Sequence, residues 1–210
     1  MKKLFVIAVS ALVSLPSFAQ KFHFGLKGAP SIAWLKTDSK NWSSSGSKFG
    51  FSYGAVTDFN FSDNYAFSSG VDVTYRGGGL TRNDTTSFVG KYQLQYIEIP
   101  LTLKMKTGEI GYITYFGQFG FAPGVNIKAK ADYTTTDYTG TYSAKDTLVG
   151  SDINILGVSM VIAGGIEYSL GGKTSLLASV VFNNGFTDIL DEKSAKVISN
   201  YLALNVGILF

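Results

Sequence analysis

Apolar residues fall at every second position over eight separate stretches of this chain, the period expected of strands with one apolar face. The first runs from Lys21 to Leu35, with Phe22, Phe24, Leu26, Ile32 and Trp34 on one face and His23, Gly25 and Lys27 on the other. The second covers Phe49 to Phe61 and the third Tyr65 to Arg76, where Val71, Val73 and Tyr75 oppose Asp72, Thr74 and Arg76. The fourth, Tyr92 to Lys106, changes phase near Tyr96-Ile97, and the neighbouring Pro100 suggests a β-bulge there. The fifth (Tyr112 to Lys130), sixth (Ile153 to Leu170) and seventh (Thr174 to Asn183) alternate in the same way. So does the closing stretch, Ile198 to Phe210.

The connections alternate in length. Ser62-Asp63-Asn64, Thr107 to Gly111 and Gly171-Gly172-Lys173 read as tight turns. Thr37 to Lys48, Gly77 to Lys91, Ala131 to Asp152 and Asn184 to Lys196 read as long polar loops. An even strand number with short turns at one end and long loops at the other predicts an all-β fold, an eight-stranded antiparallel up-and-down transmembrane β-barrel. A soluble eight-stranded barrel with its apolar face inward also alternates. Three features favour the membrane. The second face is rich in Gly, Ser, Thr and Asn, with opposite charges among them. Aromatic residues gather near strand ends, as interfacial girdles require: Phe59, Phe61, Tyr65, Phe67, Tyr115, Tyr168 and Phe210 at the short-turn rim, Trp34, Phe49, Phe51, Tyr75 and Phe182 at the other. The chain also stops inside a strand, on Phe210. An unpaired edge cannot sit in lipid, so the last strand is expected to close on the first. A terminal aromatic in an alternating strand further resembles the signal read by the barrel-assembly machinery of outer membranes.

Composition adjusts this picture little. Residues 1–19 have two lysines, an apolar run and Ser17-Phe18-Ala19, the layout of a signal peptide, with Gln20 as first mature residue and 20–210 as the barrel domain. Without Lys2 and Lys3 the chain is nearly neutral, which gives no footing for nucleic acid. Cysteine is absent, so an exported chain of this kind relies on a closed, packed fold. The expected location is the outer membrane, with outer-membrane lipid as an obligatory neighbour.

The stretch YIEIPLTLK, Tyr96 to Lys104, resembles a strand of the PorT-like outer-membrane β-barrel proteins of the Bacteroidetes. The opening KFHFGLKGAPSIAWL is similar to that family's first strand, with Pro30 where a glycine would be usual. The resemblance implies a small eight-stranded barrel, and its eponymous member is tied to a secretion and gliding system.

The chemistry available is sparse. A lipid hydrolase needs a serine activated by histidine, and the one histidine, His23, falls at the short-turn rim, away from outer-leaflet lipid. Asp132, Asp137, Asp146 and Asp152 fit no calcium-loop spacing, and Arg76-Gly77-Gly78-Gly79 lacks the helix of a phosphate loop, so it reads as the start of a flexible loop. No catalytic residue, metal or cofactor is implied. The lumen charges say more. Lys27, Asp72 and Glu98 fall near mid-height with Arg76 above, and Asp58, Lys104 and Glu167 fall lower. Buried charges need partners, and Glu98 is expected to pair with Lys27 or Arg76. The expected function is structural or partner-binding, with a plugged lumen and a contact surface on the loop 131–152; the alternatives are a narrow pore or transport accessory, and then a lipid-modifying enzyme.

Overall fold

A computed structural model of the chain describes residues 22–83, 87–191 and 196–210. The expected signal peptide and Gln20 lie outside the described residues. Eleven strands form one antiparallel sheet: β1 (Phe22–Thr37), β2 (Trp42–Ser44), β3 (Ser47–Ser62), β4 (Tyr65–Asn83), β5 (Ser87–Glu98), β6 (Leu101–Lys106), β7 (Ile113–Asp137), β8 (Gly140–Leu148), β9 (Leu156–Gly171), β10 (Thr174–Gly185) and β11 (Val197–Leu209). β5 and β6 form one wall, interrupted only at Ile99-Pro100, where proline has no N–H for the ladder. β2 adds to β4 and β8 to β7, so eight staves make the ring: β1, β3, β4, β5–β6, β7, β9, β10, β11. The ring closes where β11 pairs with β1, from Gly25 opposite Leu209 to Thr37 opposite Val197. Phe210 itself exchanges backbone hydrogen bonds with Phe24. Closure removes the edge that water would otherwise have to satisfy.

The lower part of the ring, near the tight turns, turns its apolar side outward. Leu101, Leu103 and Met105 of β6 are exposed, whereas Thr102 and Lys104 are buried. Aromatic rings frame this band. Phe61 stacks on Tyr65 at 6.2 Å near the β3–β4 turn, and Trp34 stacks on Phe182 at 6.4 Å toward the other end.

Four sequence expectations need correction, all in the upper part. Gly77 to Lys91 is not a loop: β4 continues to Asn83 and β5 begins at Ser87. Arg76 to Gly79 is accordingly buried strand, neither a phosphate loop nor a flexible loop start, and a Cβ on Gly78 would lie 2.8 Å from the Leu35 backbone nitrogen. Ala131 to Asp152 is mostly a hairpin of β7 and β8 turning at Tyr138-Thr139, and Thr37 to Lys48 contains β2. The fourth correction concerns the phase change. Tyr92, Leu94, Tyr96, Glu98, Thr102 and Lys104 all point inward, so the facing of β5–β6 never switches. The bulge sits opposite, in β7: Gln95 pairs with Lys128 and Tyr96 with Asn126, leaving Ile127 extra.

What does switch is chemistry. Above Glu98 the inward residues become apolar and the outward ones polar, as Gln93 and Gln95 show. Leu35, Trp42, Leu80, Tyr92, Leu94, Tyr96 and Val197 form a buried cluster there with Val149, Ile153, Ile189 and Leu190 from the connecting segments. Trp42 meets Phe88 edge-on at 5.7 Å, Phe88 stacks on Tyr133 at 6.1 Å, and Tyr133 touches Tyr142 at 6.2 Å. This row of rings ties the cluster to the β7–β8 hairpin.

Candidate functional site in the charged barrel interior

Two levels of charge occupy the lower ring. β4 delivers Asp72, Thr74 and Arg76 at every second position, so all three enter the lumen. Arg76 Nη1 lies 2.9 Å from Glu98 Oε1. The other carboxylate oxygen of Glu98 accepts from Thr74 Oγ1 at 2.9 Å and from the Tyr201 hydroxyl at 3.1 Å. The Arg76 guanidinium also lies 4.0 Å from the Tyr96 ring centroid, a favourable face for a cation. Beside this group, Lys27 Nζ donates to Asp72 Oδ2 at 2.8 Å. The two belong to strands separated by β3, and Gly54 lies between them in the ladder. A Cβ at Gly54 would collide with the Asp72 carboxylate, so only glycine leaves the contact open.

The lower level centres on Lys104. Its ammonium lies 2.5 Å from Asp58 Oδ2, bonds the Glu167 carboxylate, and sits 4.4 Å from the Phe116 ring centroid. Asp58, Lys104, Glu98 and Arg76 are all buried. Ion pairs removed from water need matched partners, and each of these charges has one.

The structure thus brings all seven expected lumen charges together in two groups. Glu98 meets Arg76, while Lys27 takes Asp72. Phe210 lies at the closing seam with its side chain exposed on the outer face. Sequence reasoning missed Tyr201, Tyr96 and Thr74 as partners of the upper group. The phase of β11 did hold a signal, because Tyr201 shares the inward face with Ser199 and Asn205, and a tyrosine there implies a use for its hydroxyl. His23 Nδ1 pairs with Asn60 Nδ2 at 2.8 Å near the short-turn rim. The loop aspartates serve local turns: Asp137 accepts from the amides of Thr139 and Gly140, Asp132 from that of Asp146, and Asp146 holds Lys130 at 3.0 Å. Among the described residues no three His, Cys, Asp or Glu side chains gather as metal ligands.

A closed antiparallel ring with an apolar outer band and charges inside defines an outer-membrane β-barrel. Residues 18–191 match the family described as outer membrane protein beta-barrel domain. The chain belongs to that family, and its location is the outer membrane. Among solved structures it is similar to the outer membrane protein OprG of Pseudomonas aeruginosa, at 12% identity and a TM-score of 0.51, over 90% of this chain and 95% of that one. It is also similar to Neisserial surface protein A, at 15% identity and a TM-score of 0.49, over 89% and 96% of the two chains. For the attachment invasion locus protein Ail of Yersinia pestis the values are 13%, 0.42, 90% and 99%. At these identities the likeness concerns the fold alone. No curated protein matches the chain.

Proposed function

We propose that this chain is a non-conducting, partner-binding barrel of the PorT-like kind, not a pore and not an enzyme. The observation behind the reading is that two unlike fillings succeed one another along the axis. The charge groups of Lys104 and Arg76 cross the lower lumen, and the apolar cluster around Leu80 and Tyr96 follows directly above. A hydrated path would have to traverse both. The cavity among Lys27, Asp72, Glu98 and Lys104 is about 50 Å³, which is space for a few waters and no more. His23, engaged with Asn60 on the short-turn side, offers no base to outer-leaflet lipid.

Partner binding then falls to the β7–β8 hairpin. Tyr138 is 98% exposed at its tip and Tyr142 is exposed beside it. Tyrosine provides large contact area at low entropic cost. Among the described residues β8 pairs with β7 alone, so its outer edge is open for strand addition. The YIEIPLTLK stretch supports the PorT-like assignment, and with it a place among secretion accessories. Phe210 serves closure and presentation to the assembly machinery; deleting it should lower the folded, heat-modifiable fraction.

The test has two parts. Planar-bilayer recordings should show no discrete conductance; reproducible channels would favour the narrow pore. Replacing Thr134 to Ser143 by an Asn-Gly turn should keep the barrel heat-modifiable while abolishing protein crosslinks from residue 130 in native membranes. Unchanged crosslinks would remove the hairpin from the binding surface.

A further inference from the structure

On the outer wall just above the apolar band, three lysines from β3 and β7 line one cavity. Between the pairings of Ser44 with Leu80 and Phe51 with Tyr75, the β2–β3 segment has six residues, 45–50, against four on β4, 76–79. The surplus leaves Lys48 and Phe49 without ladder partners on β4, and Phe49 is 72% exposed. Lys48 lines the same cavity of about 230 Å³ as Lys128 and Lys130 of β7, Gln93 and Gln95 of β5 and Asp146 of β8. Across the ladder, Gln95 faces Lys128 and Gln93 faces Lys130. Lys130 is paired with Asp146 at 3.0 Å, Lys48 feels the carboxylates of Asp132 and Asp146 without an ion pair to either, and Lys128 has no ion-pair partner among the described residues. Tyr75 borders the cavity below and accepts a hydrogen bond from Gln95 Nε2 at 3.1 Å. Three ammonium groups and two amides against the single lining carboxylate of Asp146 leave a net positive donor set suited to a phosphate. Its height matters as much: Ile97, Val125 and Ile127 end the apolar band directly beneath it.

A second observation points to a lipid as the source of that phosphate. Phe49 also borders an apolar groove of about 310 Å³ on the neighbouring wall, lined by Pro30, Ile32, Val180, Leu202 and Leu204. The groove lies where β1–β11 pairing lapses between Gly28–Val206 and Ser31–Ala203, because Pro30 cannot donate. We propose that Lys48, Lys128 and Lys130 hold the headgroup phosphate of an outer-leaflet lipid, with one acyl chain of that lipid seated in the Pro30 groove on the far side of Phe49. The site is distinct from the exposed hairpin tip at Tyr138 and Tyr142, while Asp146 of β8 and the lumen residue Arg76 border its cavity.

The test uses the folded protein in phosphatidylcholine nanodiscs doped with diphosphoryl lipid A, followed by native mass spectrometry of the released protein. The wild type should retain lipid A in preference to phosphatidylcholine. The triple variant K48Q/K128Q/K130Q should retain about tenfold less, the loss expected when charge-assisted hydrogen bonds to one phosphate are removed. K36Q, on β1, should behave as wild type. Heat-modifiable mobility verifies folding, and the single exposed variant K128Q provides a milder version of the same comparison. Equal retention by the wild type and both lysine variants would overturn the proposal. So would displacement of lipid A by equimolar inorganic phosphate, which would make this a free-anion site, or equal retention of phosphatidylcholine.

Discussion

The two ends of one stave, β5–β6, obey opposite rules. In β6, Thr102 and Lys104 point in and Leu101 and Leu103 point out; in β5, Tyr92, Leu94 and Tyr96 point in and Gln93 and Gln95 point out. The backbone facing is continuous through both. The difference follows from what surrounds the wall. Lipid around the lower half gives no reward for burying apolar groups inside, so the interior is free to be polar, provided that every charge finds a partner. Water around the upper half restores the hydrophobic effect, and the interior becomes the core of a soluble protein. A single hydrogen-bonded ladder therefore serves two folding regimes, with the β7 bulge at Ile127 at the level where they meet.

The lower half should be broken most severely at Lys104. Lys104→Met leaves Asp58 and Glu167 buried without their cation, a loss of about 3–5 kcal/mol. Urea midpoints of the heat-modifiable form measure it. The variant that also has Asp58→Asn and Glu167→Gln should recover most of that loss, because a neutral set asks for no cation. If it does not, the charges do more than neutralise one another.

The upper half should respond to volume instead. Leu80→Ala removes a fully buried side chain from the apolar cluster, at about 2–5 kcal/mol. The effect should stay local: amide exchange should quicken in β5 above Glu98 and leave β6 protected. Uniform loss of protection would mean that the halves unfold as one unit.

The sharpest contrast lies on the outer face. Leu101→Arg, within the apolar band, should cost about 2–4 kcal/mol. Gln93→Arg, on the same stave and the same face, should stay within about 0.5 kcal/mol. Similar losses at both positions would show that the band extends past Gln93.

The sequence spoke clearly for the lower half and misleadingly for the upper. Below Glu98 the pattern is apolar-out at every stave, so strands, turns and the seven lumen charges could be placed by counting. Above it, the same counting failed because its premise, an apolar outer face, no longer held. Gly77 to Gly79 and the Thr-rich stretch after Ala131 have the composition of loops, yet they stay in the ladder because their partners, Lys91 to Gln93 and Thr141 to Ala144, are there to meet them. The exchange of chemistry was visible at Tyr96-Ile97 but was read as a reversal of facing. The bulge at Ile127 left no readable mark, since Asn126-Ile127-Lys128-Ala129 alternates acceptably in either register. The pairing of Glu98 stayed open between Lys27 and Arg76 because height alone does not reveal that Gly54 clears Lys27 a way to Asp72.

The smallest expected effect lies at the tip of the upper half, where no core supports the chain. The Asp137 carboxylate accepts from the Thr139 hydroxyl at 2.5 Å and from the Thr139 and Gly140 amides at 2.7 and 3.1 Å. These bonds, the Thr139 hydroxyl first, hold its pKa below the ordinary aspartate value. A depressed folded value means that the contribution is complete above the ordinary aspartate range and is lost as pH falls through the folded one. Acidification should therefore loosen the hairpin tip while the barrel below remains intact. Hydrogen exchange at the Thr139 and Gly140 amides, compared at each pH with Asp137→Asn, isolates the effect from the intrinsic pH dependence of exchange. Wild type should exchange more slowly than the variant near neutrality, and the two should converge in acid. A constant gap between them would show that the tip is held by β7–β8 pairing and not by the carboxylate.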